Sequence, residues 1–366
     1  LPADGRYYLR VRESAYRGSG EARYLLHAGR FSRPLIAFPL GGKSGERASF
    51  TLLGDPAGER TIELDLPAHA RGSPLGWLPR GTFPWSPPSE GGSAPSPLFL
   101  ALSDLAGLGE IEPNEAPAQA TRFTSPSALD GRIERALDRA LWIFSAKAGE
   151  RFDIVAHARA LRSPLDARLS IQDGAGNVLA QNDDEGAFPD SRLRFQVPGD
   201  GDYVIQIEDH LGAGNPLFAY RIEVAPPRPG LRFEATRDRQ SACVARGGRG
   251  ALLCTVERID FDGPLVLELA NLPEGVRASV PACAEGIGSI PLVFEALVDA
   301  PLAHAFLELT ARHADPALLI SAQFRQDVEL TYGQNQTLFQ AQTIERLPIA
   351  VTEEAPYRIE LEPPEA

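Results

Sequence analysis

The sequence contains no methionine and only three cysteines among its 366 residues. The cysteines fit neither a zinc-binding spacing nor a Cys-x-x-Cys redox motif. No apolar run approaches the ~18 residues that a membrane-spanning helix requires, so no membrane insertion is expected. Positive charge is also scarce, since 36 lysines and arginines face 49 aspartates and glutamates and leave a formal net charge of −13. This balance argues against nucleic acid as a partner and against adsorption to an anionic membrane.

Turn-forming residues are abundant, with 34 glycines and 32 prolines, whereas charged residues make up only 23%. These values lie outside the ranges typical of disordered or collagen-like chains and indicate many turns between short strands. Short alternating runs of apolar and polar residues recur at roughly 8–12-residue spacing, a pattern typical of sandwiches and jelly rolls. No amphipathic helix of three turns is evident. The sequence therefore predicts an all-β protein made of tandem β-sandwich modules, jelly-roll-like and immunoglobulin-like.

Two stretches of the chain repeat one another. Residues 2–28 align without a gap on residues 198–224, and the alignment keeps an Asp-Gly turn, two tyrosines and a turn glycine. Alternation in the second copy predicts a strand, a Gly-rich loop and a second strand. A match of this length indicates an internal repeat. Because the first copy has no counterpart for the residues before 198, we expect the chain to begin near the end of a module, with more sequence upstream.

Composition divides the chain into four segments. Residues 1–33 are the C-terminal end of a truncated module, and residues 34–108 form a small β unit, the first unit. Residues 109–226 form a complete β-sandwich, the middle unit, and residues 227–366 form the third unit. The Pro-rich stretch between the last two units is typical of a linker. A Pro-, Gly- and Ser-rich excursion over residues 67–97 interrupts the first unit, and loops of that length are usually functional or disordered.

The long loop of the first unit contains a candidate binding site. Trp77, Phe83 and Trp85 lie among prolines in this loop. Their rings offer a platform for a sugar or for another protein. The alternative is that they cap the sandwich and belong to its core.

Cys243, Cys254 and Cys283 all lie in the third unit. If the protein is exported, one disulfide with one remaining thiol is expected. The sequence does not choose the pair. Cys254 and Cys283 occupy inward-facing positions, whereas Cys243 and Cys254 face each other across a predicted turn. The alternative is that all three are small buried residues.

Several short motifs follow one another through the middle unit. They include Glu-Ile-Glu-Pro-Asn-Glu at 110–115, Trp-Ile-Phe at 142–144, Lys-Ala-Gly-Glu at 147–150 and Asp-Gly-Asp-Tyr at 200–203. In this order they resemble the bacterial pre-peptidase C-terminal (PPC) domain, and residues 1–33 resemble the last third of another copy. The first and third units resemble the immunoglobulin-like domains that flank PPC copies in multi-domain secreted proteins, notably of planctomycete-type bacteria.

The resemblance implies a function, since such domains are typically non-catalytic parts of exported proteases and other surface proteins. It implies an extracellular, cell-surface or periplasmic location, with other protein subunits, extracellular matrix or polysaccharide as partners. Exposed sheet edges would supply such contacts. We expect a non-catalytic structural or adhesive region whose modules act as spacers and contact surfaces. The alternatives are an accessory region of a secreted hydrolase, a peptidase foremost, with its catalytic domain outside this chain, and a subunit of an extracellular assembly.

The acidic start of the middle unit is a candidate calcium site. Four hard oxygen donors fall within six residues: Glu110, Glu112, Asn114 and Glu115. In an extended segment alternate side chains point the same way, and calcium takes 6–8 such oxygens. The resemblance supports calcium, because collagenase-type PPC modules carry a similar segment and two aspartates before the aromatic strand. Asp138 matches the first aspartate, while Ala140 replaces the second. The alternative is a solvated acidic linker, and no other cofactor is expected.

Three further sequence patterns are weaker indications of a functional site. A second acidic cluster lacks EF-hand spacing and is more typical of a charged turn: Asp183, Asp184, Glu185 and Asp190. The Gly-Gly-Lys-Ser stretch at 41–44 lacks the first glycine of a phosphate loop, and a strand follows it instead of a helix. The six histidines are scattered, without a Gly-x-Ser-x-Gly elbow or a His-Glu-x-x-His motif. We therefore expect no catalytic residues in this chain.

Overall fold

The structure is a computed structural model that describes residues 3–12, 23–68, 81–89, 92–184, 189–236, 240–329 and 341–356. Within these residues the regular elements are β-strands and three 3-10 turns of three residues each. No helix of the described part is long and apolar enough to cross a membrane. The prediction of an all-β chain built from sandwich modules is confirmed.

The first unit consists of two three-stranded sheets and a small two-stranded ladder. Its strands are β1 (Ile36–Phe38), β2 (Gly41–Lys43), β3 (Arg47–Leu53), β4 (Arg60–Asp65), β5 (Thr82–Trp85), β6 (Pro88–Ser89), β7 (Gly92–Ser93) and β8 (Leu98–Ser103). The sheet orders are β1-β3-β4 and β2-β8-β5, with β6 paired to β7. Alternation in β3 turns Phe50 and Leu52 into the core. The stretch 67–97 is thus less irregular than predicted, since its described part contains β5, β6 and β7.

The middle unit packs two five-stranded sheets face to face. Its strands are β9 (Gly107–Gly109), β10 (Thr121–Arg122), β11 (Ser127–Arg132), β12 (Arg139–Ala146), β13 (Arg151–His157), β14 (Ala167–Gln172), β15 (Val178–Asn182), β16 (Arg192–Gln196), β17 (Gly201–Asp209) and β18 (Ala219–Ala225). The turns are η1 (Pro117–Gln119) and η2 (Arg159–Leu161). The sheet orders are β10-β12-β17-β14-β15 and β16-β13-β18-β11-β9. Trp142, Ile205 and Tyr220 lie fully buried between the sheets.

The second copy of the repeat forms the centre of this sandwich. β17 pairs with β12 and β14, and β18 pairs with β11 and β13, so each occupies the middle of its sheet. Tyr203, Ile205 and Ile207 point into the core from one face of β17. The prediction of a strand, a loop and a second strand over 198–224 is confirmed.

The first and middle units share one core and one sheet edge. Leu161 and Ala219 of the middle unit pack with Ile36 and Phe99 of the first. β9 follows directly after the first unit and pairs in parallel with β11, at residues 128–130. Gly107 and Leu108, which we assigned to the first unit, therefore lie in the sheet of the middle unit.

The third unit is a second sandwich with a core of its own. Its strands are β19 (Gly230–Ala235), β20 (Ala242–Ala245), β21 (Arg249–Ile259), β22 (Leu265–Ala270), β23 (Val276–Ser279), β24 (Ser289–Ala296), β25 (Ala303–His313), β26 (Ser321–Gln323), β27 (Gln326–Glu329), β28 (Ala341–Ile344) and β29 (Leu347–Thr352), with turn η3 (Pro316–Leu318). The sheet orders are β19-β21-β24-β23 and β20-β29-β25-β22; β26 adds to β25, and β27 pairs with β28.

Candidate functional site

The acidic segment at the start of the middle unit joins the two sheets of the sandwich. β9 belongs to the sheet of β11 and β18, whereas β10 belongs to the sheet of β12 and β17. Residues 110–120 connect the two strands. The Ile111 backbone N–H donates to Thr121 Oγ1 at 3.0 Å and ties the two ends of the connection together. The segment is therefore held against the sandwich.

Glu110 turns inward and accepts three hydrogen bonds. The donors are the Tyr220 hydroxyl at 2.7 Å, the Arg132 backbone N–H at 2.6 Å and the Asn114 side-chain amide at 3.3 Å. Trp142 Nε1 donates to the Tyr220 hydroxyl at 3.0 Å, so the chain of hydrogen bonds runs from one sheet to the other. Burial raises the pKa of the Glu110 carboxyl to about 7, because these hydrogen bonds only partly offset the loss of water.

A glycine makes room for this arrangement. Gly131 lies directly opposite Tyr220 in the ladder between β11 and β18. A Cβ atom at Gly131 would collide with the Tyr220 hydroxyl and with the Glu110 carboxylate. The backbone of β11 can approach both groups closely only because the residue has no side chain.

Asn114 carries an unpaired acceptor at the same site. Its side chain is fully buried, and its backbone N–H donates to Glu112 Oε2 at 3.1 Å. Its amide nitrogen donates to Glu110, but its Oδ1 atom has no hydrogen-bond partner among the described residues. Buried polar atoms are normally satisfied, so this oxygen points to a donor, a water or a cation that completes the site.

The remaining carboxylates gather around Arg135. Asp138 is buried, and its Oδ2 accepts from the Glu134 backbone N–H at 2.8 Å, while its Oδ1 lies 3.8 Å from Arg135 Nη2. Glu115 is ion-paired with the same guanidinium. Glu112 is exposed, and its pKa is raised by partial loss of water and by the charges of Asp138 and Glu134, against the opposing effect of Arg135.

The five predicted calcium ligands therefore lie in one region but do not all face one point. Arg135 binds Glu115, and Tyr220 binds Glu110. Among the described residues, no group of three His, Cys, Asp or Glu side chains could hold a metal ion. The hard oxygens of Glu112, Asn114 and Asp138 have the chemistry that calcium prefers, and Asn114 Oδ1 lacks a partner. The calcium site stays a prediction.

The second acidic cluster is divided between different partners. Asp190 is buried and accepts from the backbone N–H groups of residues 158–160, at 3.0, 2.8 and 3.1 Å. Burial raises its pKa, and these three bonds oppose that rise. Asp183 instead faces His210, whose Nδ1 lies 3.2 Å from its Oδ2. Glu185 lies outside the described residues.

Part of the predicted aromatic platform belongs to a core. Phe83 and Trp85 lie on β5, half-buried, and pack against the apolar cluster that contains Phe50 and Leu100. Trp77 lies outside the described residues, so the platform as a whole stays a prediction.

The three cysteines are free thiols in this structure. Cys254 on β21 and Cys283 are buried, as their predicted inward-facing positions require, while Cys243 on β20 is exposed. β20 and β21 belong to different sheets. The candidate disulfide is not formed here, and burial raises the pKa of the Cys254 thiol to about 12.

A buried ion pair that was not predicted from the sequence lies on the outer face of the second sheet. Arg221 on β18 has no exposed surface, and its Nη1 lies 2.8 Å from Asp130 Oδ2 on β11. Arg221 Nη2 also donates to Ser103 Oγ of the first unit at 3.4 Å. A signal was present in the sequence, because each charge directly follows a buried residue of its strand, Leu129 on β11 and Tyr220 on β18. Such a charge is normally paired when it is buried.

Two more residues extend this ion pair. Glu223 Oε1 lies 3.4 Å from Arg221 Nε, and His157 Nε2 lies 3.8 Å from Glu223 Oε2. Burial acts to raise the pKa of Glu223, but His157 and Arg221 outweigh it and hold the pKa at about 2. Burial raises the pKa of Asp130 to about 6, although Arg221 opposes the rise. All four charged residues belong to the middle unit, and the network reaches the first unit through the hydrogen bond from Arg221 to Ser103.

No model of a known protein family matches the chain. Among curated proteins, a probable subtilase-type serine protease of Deinococcus radiodurans is 32% identical to it over 116 residues. The match covers 30% of this chain and 15% of that protein, so the chain corresponds to a small part of its relative's length.

Two solved structures illustrate the likeness in fold. The pre-peptidase C-terminal domain of a collagenase from Bacillus anthracis aligns over 99% of its length with 30% of this chain, at 16% identity and a TM-score of 0.25. Fibronectin(III)-like modules of CbhA from Clostridium thermocellum align over 98% of their length with 69% of this chain, at 11% identity and a TM-score of 0.18. At these sequence identities and TM-scores, neither structure is evidence for the function of this chain.

Proposed function

We propose that this chain is a non-catalytic structural and contact region of an exported bacterial protein, in which a PPC-like unit is flanked by immunoglobulin-like units. The observation that carries the proposal is the junction of the first two units. A shared apolar cluster joins them, and beside it the buried Arg221 of the middle unit, paired with Asp130, donates to Ser103 of the first unit. A junction of this kind keeps two modules in one orientation, which suits a scaffold that presents surfaces to other subunits, matrix or polysaccharide.

The proposal is tested by measuring how the units of the full chain tumble. Backbone ¹⁵N relaxation should give one common rotational correlation time for residues 35–65 and for residues 127–225. A Leu161→Ala variant, which truncates the shared apolar cluster, should tumble with two separate times, while the exposed Leu211→Ala should behave like the wild type. Independent tumbling of the two units in the wild type would contradict the proposal.

A second candidate is an accessory region of a secreted peptidase whose catalytic domain lies outside this chain. The similarity to the probable subtilase-type protease favours it. The test is to delete this region from the parent protein and to compare two substrates. We expect kcat/KM for a short peptide to stay within about twofold and that for a large insoluble protein to fall at least tenfold. An equal fall for both substrates would contradict an accessory role.

We also propose that the acidic segment binds calcium through Glu112, Asn114 and Asp138, with Glu110 behind them. Bound calcium would neutralise the charges of Glu112 and Asp138, and it would give Asn114 Oδ1 the partner that this atom lacks among the described residues. The full chain in EDTA should gain several degrees in Tm on addition of calcium, since a ligand at 100 times its Kd stabilises by about 2.7 kcal/mol. Asp138→Asn should abolish the gain, and the exposed Glu268→Gln should keep it. A wild type without any gain would contradict the site.

A further inference from the structure

His157 is a buried histidine among the charged side chains on the outer face of the second sheet. It ends β13 and lies directly opposite Arg221 in the ladder with β18. Only 7% of its surface is exposed. Its Nε2 atom lies 3.8 Å from Glu223 Oε2, and Glu223 Oε1 lies 3.4 Å from Arg221 Nε. The imidazole is therefore a second basic group in the network around Arg221.

The charges that face His157 come from three elements. Glu223 and Arg221 lie on β18, and Asp130 lies opposite Arg221 on β11. Asp190, in the connection between β15 and β16, also interacts with the imidazole through its charge. Three backbone N–H groups donate to Asp190 and already stabilise that charge. The balance that remains is between two carboxylates, one guanidinium and the imidazole.

The first unit closes over this network. Ser103 Oγ accepts from Arg221 Nη2 at 3.4 Å, and the Ser103 hydroxyl also hydrogen-bonds to Glu223. The strand β9 lies so close that a Cβ atom at Gly107 would come within 2.9 Å of Asp130 Oδ2. The residues that cover the charges thus belong to the first unit or to the strand that directly follows it.

We propose that His157 makes the junction between the first and middle units sensitive to pH: its protonated form closes the junction, and its neutral form loosens it. The proposal rests on the fixed junction proposed above and adds its regulation. With a proton on His157, two carboxylates face two cations. Without that proton the same carboxylates share one guanidinium, and the uncompensated charge is costly as long as the network stays covered. Moving the cover away readmits water and relieves this cost.

The direction of the effect follows from proton linkage. An imidazole ordinarily changes charge between about pH 5 and 8, so histidine suits this role. Because the proton stabilises the closed form, the closed form binds it more tightly than the open form does. The closed junction therefore loses stability as pH rises, and one linked proton changes the equilibrium by at most about tenfold per pH unit.

The test measures hydrogen exchange of the full chain by NMR near pH 6 and near pH 9, in EDTA. The Ala128 backbone N–H donates to the Ala106 carbonyl of the first unit at 3.0 Å, so its protection factor reports the closed junction. The amides of β17, in the other sheet, report unfolding of the middle unit. We expect the protection factor of Ala128 to fall at least about tenfold between the two pH values, and that of β17 to fall less. An equal fall in both would overturn the proposal.

Two substitutions should act in opposite directions on the same contact. His157→Gln is neutral at every pH, so Ala128 should have low protection at both pH values. Glu223→Gln leaves one carboxylate for one guanidinium, so Ala128 should keep its protection near pH 9. The matched control is His210→Gln, which removes an exposed histidine of the same unit and should retain the pH dependence of the wild type.

The outcomes distinguish this proposal from the fixed junction on which it rests. Independent tumbling of the two units near pH 6, measured by ¹⁵N relaxation, would overturn both. With common tumbling near pH 6, three results would each overturn only the role of His157: unchanged Ala128 protection near pH 9, wild-type behaviour of His157→Gln, or an undiminished loss of protection in Glu223→Gln.

Discussion

The two junctions of the middle unit are held by different forces. The junction with the first unit combines an apolar cluster with a hydrogen bond from Arg221, which is buried and paired with Asp130, to Ser103. The junction with the third unit is polar, since Asp260 Oδ2 lies 3.1 Å from Arg194 Nη2 and Asp260 Oδ1 lies 3.7 Å from Arg151 Nη1. None of the hydrophobic clusters of the described residues combines the middle and third units.

This difference implies that the junction with the first unit is fixed, whereas the junction with the third unit is adjustable. Apolar burial and a pair without solvent are hardly affected by salt, because mobile ions do not reach them. Ion pairs between half-exposed arginines and a carboxylate contribute at most about 1 kcal/mol and are screened. We therefore expect the first and middle units to move together and the third unit to change orientation with ionic strength. Three of the following four predictions test this contrast, and the one on Glu110 tests the middle unit itself.

Removing the buried cation should have the largest effect. Arg221→Met leaves Asp130 buried without its counter-charge and should lower the free energy of unfolding by about 3–5 kcal/mol. Adding Asp130→Leu should recover much of the loss, because two packed apolar groups replace the pair. Urea denaturation measures both. Arg232→Met removes an exposed pair with Glu257 inside the third unit and serves as the control. A cost for Arg221→Met no greater than for this control would show that the buried pair does not stabilise the middle unit.

Truncating the apolar part of the same junction should cost less. Leu161 on η2 is buried among residues of the first unit. Leu161→Ala should destabilise by about 2–4 kcal/mol and should split one thermal transition into two, because it weakens the contact between the units. Calorimetry measures both effects. Leu211→Ala, at an exposed position of the same unit, is the matched control. A single thermal transition in Leu161→Ala would show that other contacts couple the first and middle units.

Glu110 should make stability depend on pH in a defined direction. Its pKa is about 7 in the folded chain and 4.5 as the ordinary value, so between these pH values the folded state binds more protons. The free energy of unfolding that Glu110 contributes therefore falls as pH rises from 4.5 to 7, by about 1–2 kcal/mol after allowance for solvent screening. Urea titrations in EDTA at several pH values, wild type minus Glu110→Gln, measure this.

The difference between wild type and an exposed variant, Glu59→Gln, should stay flat over the same pH range. If the Glu110 difference also stays flat, the carboxyl is not held by burial in the way that its contacts indicate.

The polar junction should show the smallest change in stability. Asp260→Asn removes one charge, and asparagine tolerates the positive φ of 56° at this position. The free energy of unfolding should change by less than about 1 kcal/mol. Residual dipolar couplings should show a new orientation of the third unit relative to the middle one. Salt near 1 M, where the Debye length is about 3 Å, should reproduce the reorientation in the wild type. An unchanged orientation in both cases would make this junction as fixed as the other.

The central strands of the fold could be predicted because their side chains alternate. β17 and β18 form over the stretch in which alternation predicted a strand, a loop and a second strand. Because one face of such a strand is buried, a shift by one residue would expose its apolar side chains, and the alternation therefore also specifies the register. β9 and β10 were not predicted, since strands of two or three residues are too short to show a period. Their pairing comes from tertiary contact with β11 and β12.

The candidate site was located by sequence but its contacts were not. The acidic segment was identified because four oxygen donors lie close together in the chain. The partners of Glu110 could not be found in the same way, because Tyr220 and Trp142 lie far away in sequence. Arg221 was missed for the same reason, since the alternation of β18 alone does not show that its outer face is covered. A local sequence pattern identifies a cluster of charged residues, whereas the packing of the folded chain determines which groups those residues contact.

The parallel strand β9 also determines how the chain would transmit force. Gly107 lies beside Ala128 on β11, and Ala128 lies beside Glu223 near the end of β18. The chain thus enters and leaves the middle unit at the same end of one sheet, two strands apart. Arg228 binds Asp104 across this point, at 2.8 Å. Force applied to the two ends of the chain would act mainly on β9, β11 and β18. The rest of the middle unit would lie beside the line of force, so it would add surface without adding length between the ends.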